Sequence, residues 1–194
     1  MALLLLLLAI VVSAVILLAA TNAARHVDNE FDAQQNYLAV CSAAELVRDS
    51  ILSATYERVD TVITDAEGNS TSSSNVKEPS GIMADWLMRG INGTTDGGTI
   101  SINVSSQGTE NVMPPVQAAF SMDDKFNITI VFSLEQSSTQ TSTVADNCYM
   151  TLTLTGSKTS DTNTSTNDQT QVTIQKITQT ITWSGAKIRK GAVA

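Results

Sequence analysis

The side chains that could carry chemistry are few in this sequence and lie far apart along it. His26 is the only histidine, and it lacks the partners that a Ser-His pair or a metal site would need. The neighbouring carboxylates Asp123 and Asp124 are typical of a turn before a strand. A second acidic group is typical of a solvated helix face: Asp28, Glu30 and Asp32. We therefore predict no catalytic residue and no metal ligand.

Neither a phosphate-binding P-loop, a glycine-rich dinucleotide loop nor a nucleophile elbow occurs in the sequence. We accordingly predict that the protein is not an enzyme and binds no cofactor. The formal charge of -8 and the pI near 4.4 also disfavour a nucleic-acid partner, whose phosphates require clustered Lys and Arg. The basic cluster of Lys187, Arg189 and Lys190 is interpreted as a solvated terminus.

Cys41 and Cys148 form no C-x-x-C motif, so the sequence suggests neither a zinc site nor a thioredoxin-like pair. The pattern places Cys41 on an inward helix stripe and Cys148 at the start of an inward strand face. An exported compartment would let them form a disulfide, worth ~4–5 kcal/mol in the chain-entropy model. The alternative is two buried thiols that act as small hydrophobic groups. Both interpretations stay open.

Five Asn-x-Ser/Thr sequons make candidate glycosylation sites, in a chain rich in these residue types. All are predicted to be exposed. They begin at Asn69, Asn92, Asn103, Asn127 and Asn163.

The N-terminal stretch from Met1 to Ala20 is apolar, with Ser13 as its one polar residue. A helix of that length spans roughly 30 Å, which matches the hydrocarbon layer of a bilayer. It has no basic residue before it and no Ala-x-Ala cleavage site after it, so a membrane helix is favoured over a cleaved secretory signal. Residues 1–24 are predicted to form a hydrophobic helix for a membrane or a filament core.

The helix is predicted to continue over residues 25–60, because Gly68 is the first Gly or Pro of the chain. Apolar residues there recur at spacings of three and four, which predicts one stripe packed on a soluble domain. These residues are Tyr37, Val40, Cys41, Ala44, Val47, Ile51 and Ala54.

Residues 61–98 are predicted to be a connecting loop with one short helix over Ile82 to Arg89, in which Trp86 is a core anchor. Residues 99–194 alternate with period two and predict four or five antiparallel strands. A bulge near Gln175 explains a change of parity in the last strand. Two polar tracts are predicted to be exposed loops or hairpin tips: Gln136 to Thr143 and Ser157 to Thr170. The predicted fold class is α+β, a long N-terminal helix packed on a small antiparallel sheet head.

A continuous apolar helix, its amphipathic continuation, a connection and an antiparallel sheet together resemble a mature type IV pilin or pseudopilin. The segment DAQQNYLAVCSAAELVRDSI, from Asp32 to Ile51, is similar to the helix of pilin-like proteins of Gram-positive bacteria. The resemblance covers the whole architecture, with specific residue matches in about the first 58 positions.

The resemblance implies a structural subunit of a type IV pilus-like filament at the cell surface, with a membrane-inserted pool before assembly. Its partners would be copies of itself, the pilus assembly machinery and a prepilin peptidase. That peptidase would remove a basic leader and leave Met1 as the processed, methylated N-terminus. Adhesion, motility, DNA uptake and secretion are all roles that such filaments serve.

Two positions depart from the family pattern. Leu5 stands where pilins typically carry a glutamate, as in certain minor, tip-located pilins and in archaeal filament subunits, which are often glycosylated. Asn22 stands where many bacterial pilins have proline. The competing hypothesis is a single-pass surface protein, in which a signal-anchor helix holds a β-rich binding module and no polymer forms.

Overall fold

The computed structural model describes residues 2–93, 96–102, 114–134 and 148–191, with side chains from residue 12 onward except those of residues 96 and 97. Within these residues, two helices, α1 (Ala2–Leu52) and α2 (Ala84–Ile91), accompany one seven-stranded antiparallel sheet of order β2-β1-β7-β6-β5-β4-β3. The strands are β1 (Thr55–Thr64), β2 (Ser70–Lys77), β3 (Asp96–Ile102), β4 (Val116–Met122), β5 (Ile128–Leu134), β6 (Met150–Asn167) and β7 (Val172–Lys190).

Helix α1 ends at Leu52, earlier than the helix predicted over residues 25–60. The Ser53 N–H donates to the Asp49 carbonyl at 3.2 Å in its last turn. Residues 55–64 then form β1, because their Thr, Tyr, Val and Ile side chains favour extended backbone. The absence of Gly and Pro therefore did not decide the helix boundary.

The prediction of a small sheet head is wrong. Among the described residues, the seven strands form one long antiparallel sheet, and this sheet dominates the fold. Strands β1 and β2 lie in the segments predicted as helix and connecting loop, and residues 157–167 continue β6 where a polar loop was predicted. The β6–β7 hairpin thus turns only at residues 168–171. The tract from Gln136 to Thr143 lies outside the described residues.

We call the long polar part of the sheet, formed by β1, β2 and the outer halves of β6 and β7, the extension. Residues 157–171 are all exposed, as are all eight residues of β2. These strands are held by ladder hydrogen bonds and side-chain pairs such as Thr64 with Ser70, whose hydroxyl oxygens lie 2.9 Å apart. Strand β2 and the outer half of β6 are exposed on both faces, so these two strands show no apolar alternation.

The core lies between the last turns of α1, helix α2 and the inner face of β4 to β7. Ala39, Ala43 and Ala44 are fully buried, and these small side chains let the α1 backbone approach the sheet closely. The fully buried side chains opposite them include Phe132, Ile130 and Leu152. The antiparallel strands predicted within residues 99–194 are confirmed at β4, β5 and β6, as is the predicted short helix at α2.

The predicted bulge near Gln175 is wrong. The register of β7 runs without a break from Val172 to Ser184 against β6, and the shift occurs later, between Thr153 and Thr155 of β6. Gly185, with a φ of 63°, lies on the β7 side of this irregularity. Val172 and Ile174 therefore share the sheet face opposite the core, which is why their parity differs from that of Ile181.

The turn before β5 packs directly on Gly156 of β6. A Cβ atom there would lie 2.6 Å from the carbonyl carbon and 2.7 Å from the Cβ of Phe126. Phe126 has a φ of 64°, and its carbonyl accepts a hydrogen bond from the Trp183 indole at 3.0 Å. A Cβ at Gly156 would force this turn backbone to shift, so we expect Gly156→Ala to cost about 3 kcal/mol of unfolding free energy.

Urea denaturation of the full-length chain in detergent, followed by tryptophan fluorescence, measures this cost. Ser157→Ala, at the exposed neighbouring position, is the matched control and should change stability by less than about 0.5 kcal/mol. Equal stabilities of the two variants would contradict the close approach of Phe126 to β6.

Ser50 is the other unusual core position, because its buried Oγ has no hydrogen-bond partner. The chain at Gly81, whose φ is 105°, covers this hydroxyl, and a Cβ there would lie 2.6 Å from it. A buried hydroxyl without a partner keeps its desolvation penalty, so we expect Ser50→Ala to stabilise the fold by about 1 kcal/mol. The same denaturation assay measures it.

Ser53→Ala provides the control, since the exposed Ser53 hydroxyl donates to the Ser50 carbonyl at 3.0 Å. That variant should be neutral or slightly destabilised. A clear loss of stability in Ser50→Ala would mean that its hydroxyl is satisfied, for example by an internal water molecule.

Candidate assembly surface

The N-terminal part of α1 projects from the sheet without contacts. Every described residue from Val12 to Asp32 is exposed, and the first fully buried residue of the helix is Ala39. We call Val12–Asp32 the free arm; as a helix it is about 30 Å long. Its apolar residues reach exposures of 70% at Leu17 and 64% at Leu18. An exposed apolar helix of this kind must either be covered by a partner or lie in a medium other than water.

Within the described part of the chain, no helix offers a stretch both long and apolar enough to cross a membrane. Most of the membrane segment predicted from Met1 to Ala20 falls on residues 1–11, whose side chains lie outside the described residues.

Between residues 27 and 38, helix α1 carries an exposed apolar stripe that was not predicted from the sequence. Val27, Phe31 and Leu38 are 64%, 56% and 52% exposed. At about 100° per residue they fall within roughly 40° of one another around the helix. The same angles put the sheet-facing residues Ala43 and Val47 on the opposite side. We call Val27, Phe31 and Leu38 the outer stripe.

Charged residues flank the outer stripe and do not interrupt it. Arg25, Asp28 and Asp32 project from other sides of the helix by the same angular estimate. The spacings of four and seven residues in the stripe are the signal that could have found it. The stripe predicted from the sequence is instead the one that faces the sheet.

The two cysteines come together where α1 leaves the sheet. Both are half-buried, have free thiols and pack against the same core. Burial raises the pKa of the Cys148 thiol; the nearby Lys190 ammonium lowers it, and Cys41 adds to the rise. The neighbouring Cys41 thiol raises the pKa of Tyr37, and the Lys190 Nζ lies 5.8 Å from the Tyr37 ring centroid.

The groups considered for catalysis are not assembled into a site. The His26 Nε2 lies 3.4 Å from the Glu30 Oε1 on a helix face, and these side chains are 76% and 66% exposed. The Asp123 carboxylate accepts the backbone N–H groups of Lys125 and Asn127, as expected of a turn. Among the described residues, no group of His, Cys, Asp and Glu side chains could hold a metal ion.

The candidate glycosylation sites differ in accessibility. Asn92 follows α2 and is exposed, and Asn163 is exposed on the extension, opposite Lys176. Asn69 is exposed, but its side-chain amide donates to the Asp65 carboxylate at 3.0 Å. Asn103 lies outside the described residues, as does Met1.

Asn127 is half-buried, which corrects the expectation that it would be exposed. Its side-chain N–H donates to Asp123 at 2.8 Å, and its oxygen accepts the Gly156 N–H at 3.2 Å. The nitrogen and the oxygen of the Asn127 side-chain amide thus both form hydrogen bonds within the protein. A glycan on this nitrogen would have to break the bond to Asp123, so the described geometry favours Asn92 and Asn163 as acceptors.

No protein-family model, no curated protein and no solved structure matches this chain. The comparisons therefore identify no family for this chain.

Proposed function

We propose that this protein is a non-enzymatic structural subunit of a type IV pilus-like filament, assembled through α1. The observation that carries the proposal is the position of the outer stripe. It lies on the side of α1 opposite the sheet, so helices that pack by this stripe leave every sheet on the outside. A filament with a helical core and an outer layer of sheets follows from that arrangement.

Exposed apolar surface on the free arm supports the same proposal. Val15, Ile16 and Leu17 are 61%, 63% and 70% exposed, and they project in different directions around the helix. Contact with several neighbouring helices would cover all of these sides at once. Burial of such side chains is worth ~25 cal/mol per Å² of apolar area removed from water.

Before assembly, the segment Met1 to Ala20 would lie in the membrane, and polymerisation would exchange lipid for neighbouring helices. Little hydrophobic free energy changes in that exchange, so close packing at small residues would decide it. Ala14, Ala19 and Ala20 allow such close approach. A prepilin peptidase and the pilus assembly machinery are the further partners that the proposal requires, and the cell surface is the location.

The alternative, an anchored surface module that does not polymerise, explains the apolar segment equally well. It gives no role to the outer stripe, because Phe31 and Leu38 lie beyond the segment that would sit in lipid. The stripe is therefore the observation that favours the filament.

The proposal is tested by shearing surface material from native cells, imaging it by electron microscopy and identifying its chains by mass spectrometry. We expect helical filaments that contain this chain with a processed, methylated Met1. Recovery of the chain only in the membrane fraction, with extra basic residues before Met1, would instead support the anchored module.

A further inference from the structure

Strand β2 forms an open edge of the sheet. It is the first strand of the order, pairs with β1 alone among the described strands, and all its residues are exposed. Its sequence from Ser70 to Lys77 contains no Pro, and its register with β1 has no bulge. A regularly paired edge strand whose residues 70–76 carry no charge is a template for another strand, unless something blocks it.

The other edge of the sheet is different. Strand β3 has an irregular register between Asp96 and Thr99, and α2 packs against it. Gly98 there has a φ of 71°, and a Cβ at this position would lie 3.1 Å from the Trp86 ring. Bulges and a covering helix are the usual protections of an edge. Of the two edge strands described, only β2 has neither a bulge nor a covering helix.

The turn between β1 and β2 shows which backbone groups of β2 point outward. The Asp65 N–H donates to the Asn69 carbonyl at 3.0 Å, so these two residues form a hydrogen-bonded pair. Bonded and non-bonded pairs alternate along an antiparallel ladder, and the β1–β2 register is continuous. The outward N–H and C=O groups therefore belong to alternate residues: Ser70, Ser72, Ser74 and Val76.

We propose that β2 pairs with β2 of a second copy of this chain, antiparallel and centred on Ser73. In this register Ser70 faces the partner's Val76, and Ser72 faces the partner's Ser74. All four outward residues then bond to outward residues of the other copy. Any shift by one residue would bring outward groups against inward ones, so the alternation restricts the contact to even shifts.

Charge also favours this register. Lys77 comes opposite the partner's Asn69, at the turn that carries Asp65 and Glu67. The two lysines of the pair lie at opposite ends of the contact, and each meets an acidic turn. No like charges face each other between Ser70 and Val76, where the side chains are neutral.

The symmetry of the contact says which copies it joins. An antiparallel pair of equal strands has its two-fold axis perpendicular to the sheet, whereas α1 lies along the sheet face. The two α1 helices of the pair therefore point in opposite directions. Subunits of one polar filament all point the same way, so the β2 contact would link copies in different filaments or on facing surfaces.

Disulfide trapping tests the contact directly. The full-length chain carrying Ser73→Cys is purified in detergent and oxidised mildly, and we expect most of it to become a covalent dimer. Position 73 faces itself in a non-hydrogen-bonded pair, whose Cβ atoms lie ~4.5–5.5 Å apart, within reach of a disulfide. Peptide mapping by mass spectrometry should find the link between two copies of residue 73.

Thr71→Cys is the matched control, since it is exposed on the same strand and the same face. It would lie about 13 Å from its own copy along the strand, too far to link. Adding Ser72→Pro to Ser73→Cys removes an outward N–H without removing a bond to β1, and should abolish the dimer. The native chain controls for links through its own cysteines.

Equal dimer from Thr71→Cys and Ser73→Cys, or none from either, would contradict self-pairing of β2. A link from residue 73 to a different protein in a native-cell extract would assign the edge to another partner and overturn the proposal. Because trapping is done with solubilised chains, its failure is separable from failure of the filament, which is judged in sheared material.

Discussion

Phe31→Asp should remove this chain from sheared filaments while leaving its sheet folded. The substitution places a carboxylate on the outer stripe, where the proposed filament buries apolar side chains. An unpaired charge buried between helices costs about 3 kcal/mol per subunit, which is roughly a hundredfold in affinity. Every subunit in the polymer would bear this cost. Quantitative mass spectrometry of the sheared and membrane fractions measures the ratio of chain between them.

Asn29→Asp is the matched control for this variant. It adds the same charge two residues away, on an exposed position that faces away from the outer stripe by the helix angles. Phe31 also lies beyond the apolar run, so membrane insertion is untouched and the variant chain should accumulate in membranes. If both variants enter filaments equally, the outer stripe is not a contact surface. Tryptophan fluorescence of the two chains checks that the sheet is intact.

The core strands were predictable because each buries one face. Ile130 and Phe132 alternate with residues of the outer face, and this alternation is visible in the sequence and correct in the structure. The same reasoning found helix α2 from the spacing of Met83 and Leu87. Burial on one side imposes a period, and the period identifies the element.

The extension could not be found in that way. Strand β2 has the sequence STSSSNVK and is exposed on both faces, so nothing in its side chains alternates. Its conformation depends on pairing with β1, and β1 in turn lies against β7. Such pairing joins residues far apart in the sequence, and composition therefore suggested loops instead.

The candidate site was predicted in part, since the apolar segment and the sheet-facing stripe could be read from spacing. The outer stripe was missed because Val27, Phe31 and Leu38 are few and interrupted by Gln and Asn. Their significance depends on knowing which side of α1 the sheet occupies. That knowledge requires the packing of Ala43 and Val47, which only the folded chain provides.

Oxidation of Cys41 and Cys148 to a disulfide should increase the stability of this chain. The bond would close a loop of about a hundred residues and raise the unfolding free energy by ~4–5 kcal/mol in the chain-entropy model. Urea denaturation of the full-length chain with and without reductant measures the gain. The unfolding free energy of Cys148→Ser should be the same with and without reductant. Intact-mass measurement after thiol labelling shows whether the disulfide formed in the native chain.

The pH dependence of the oxidation rate gives a second check. The thiolate is the reacting form, and burial raises the pKa of the Cys148 thiol, so little thiolate is present near neutral pH. The rate should therefore increase as pH rises toward that pKa. If both thiols can still be fully labelled after oxidation at alkaline pH, no disulfide has formed, and the pair acts as small core side chains.

The position of this cysteine pair would let a disulfide reinforce the connection between the sheet and the helical core of the proposed filament. Force on a sheet reaches the helical core only through the segment of α1 that packs on the sheet, from Ala39 to Ile51. Cys41 lies at the end of this segment nearest the free arm, and Cys148 lies just before β6. A bond there would join α1 to the sheet a second time, in addition to the backbone that runs from α1 into β1. Oxidised filaments should then keep their outer layer at denaturant concentrations that unfold the sheet of reduced filaments, whereas filaments of Cys148→Ser should behave as reduced ones under both conditions.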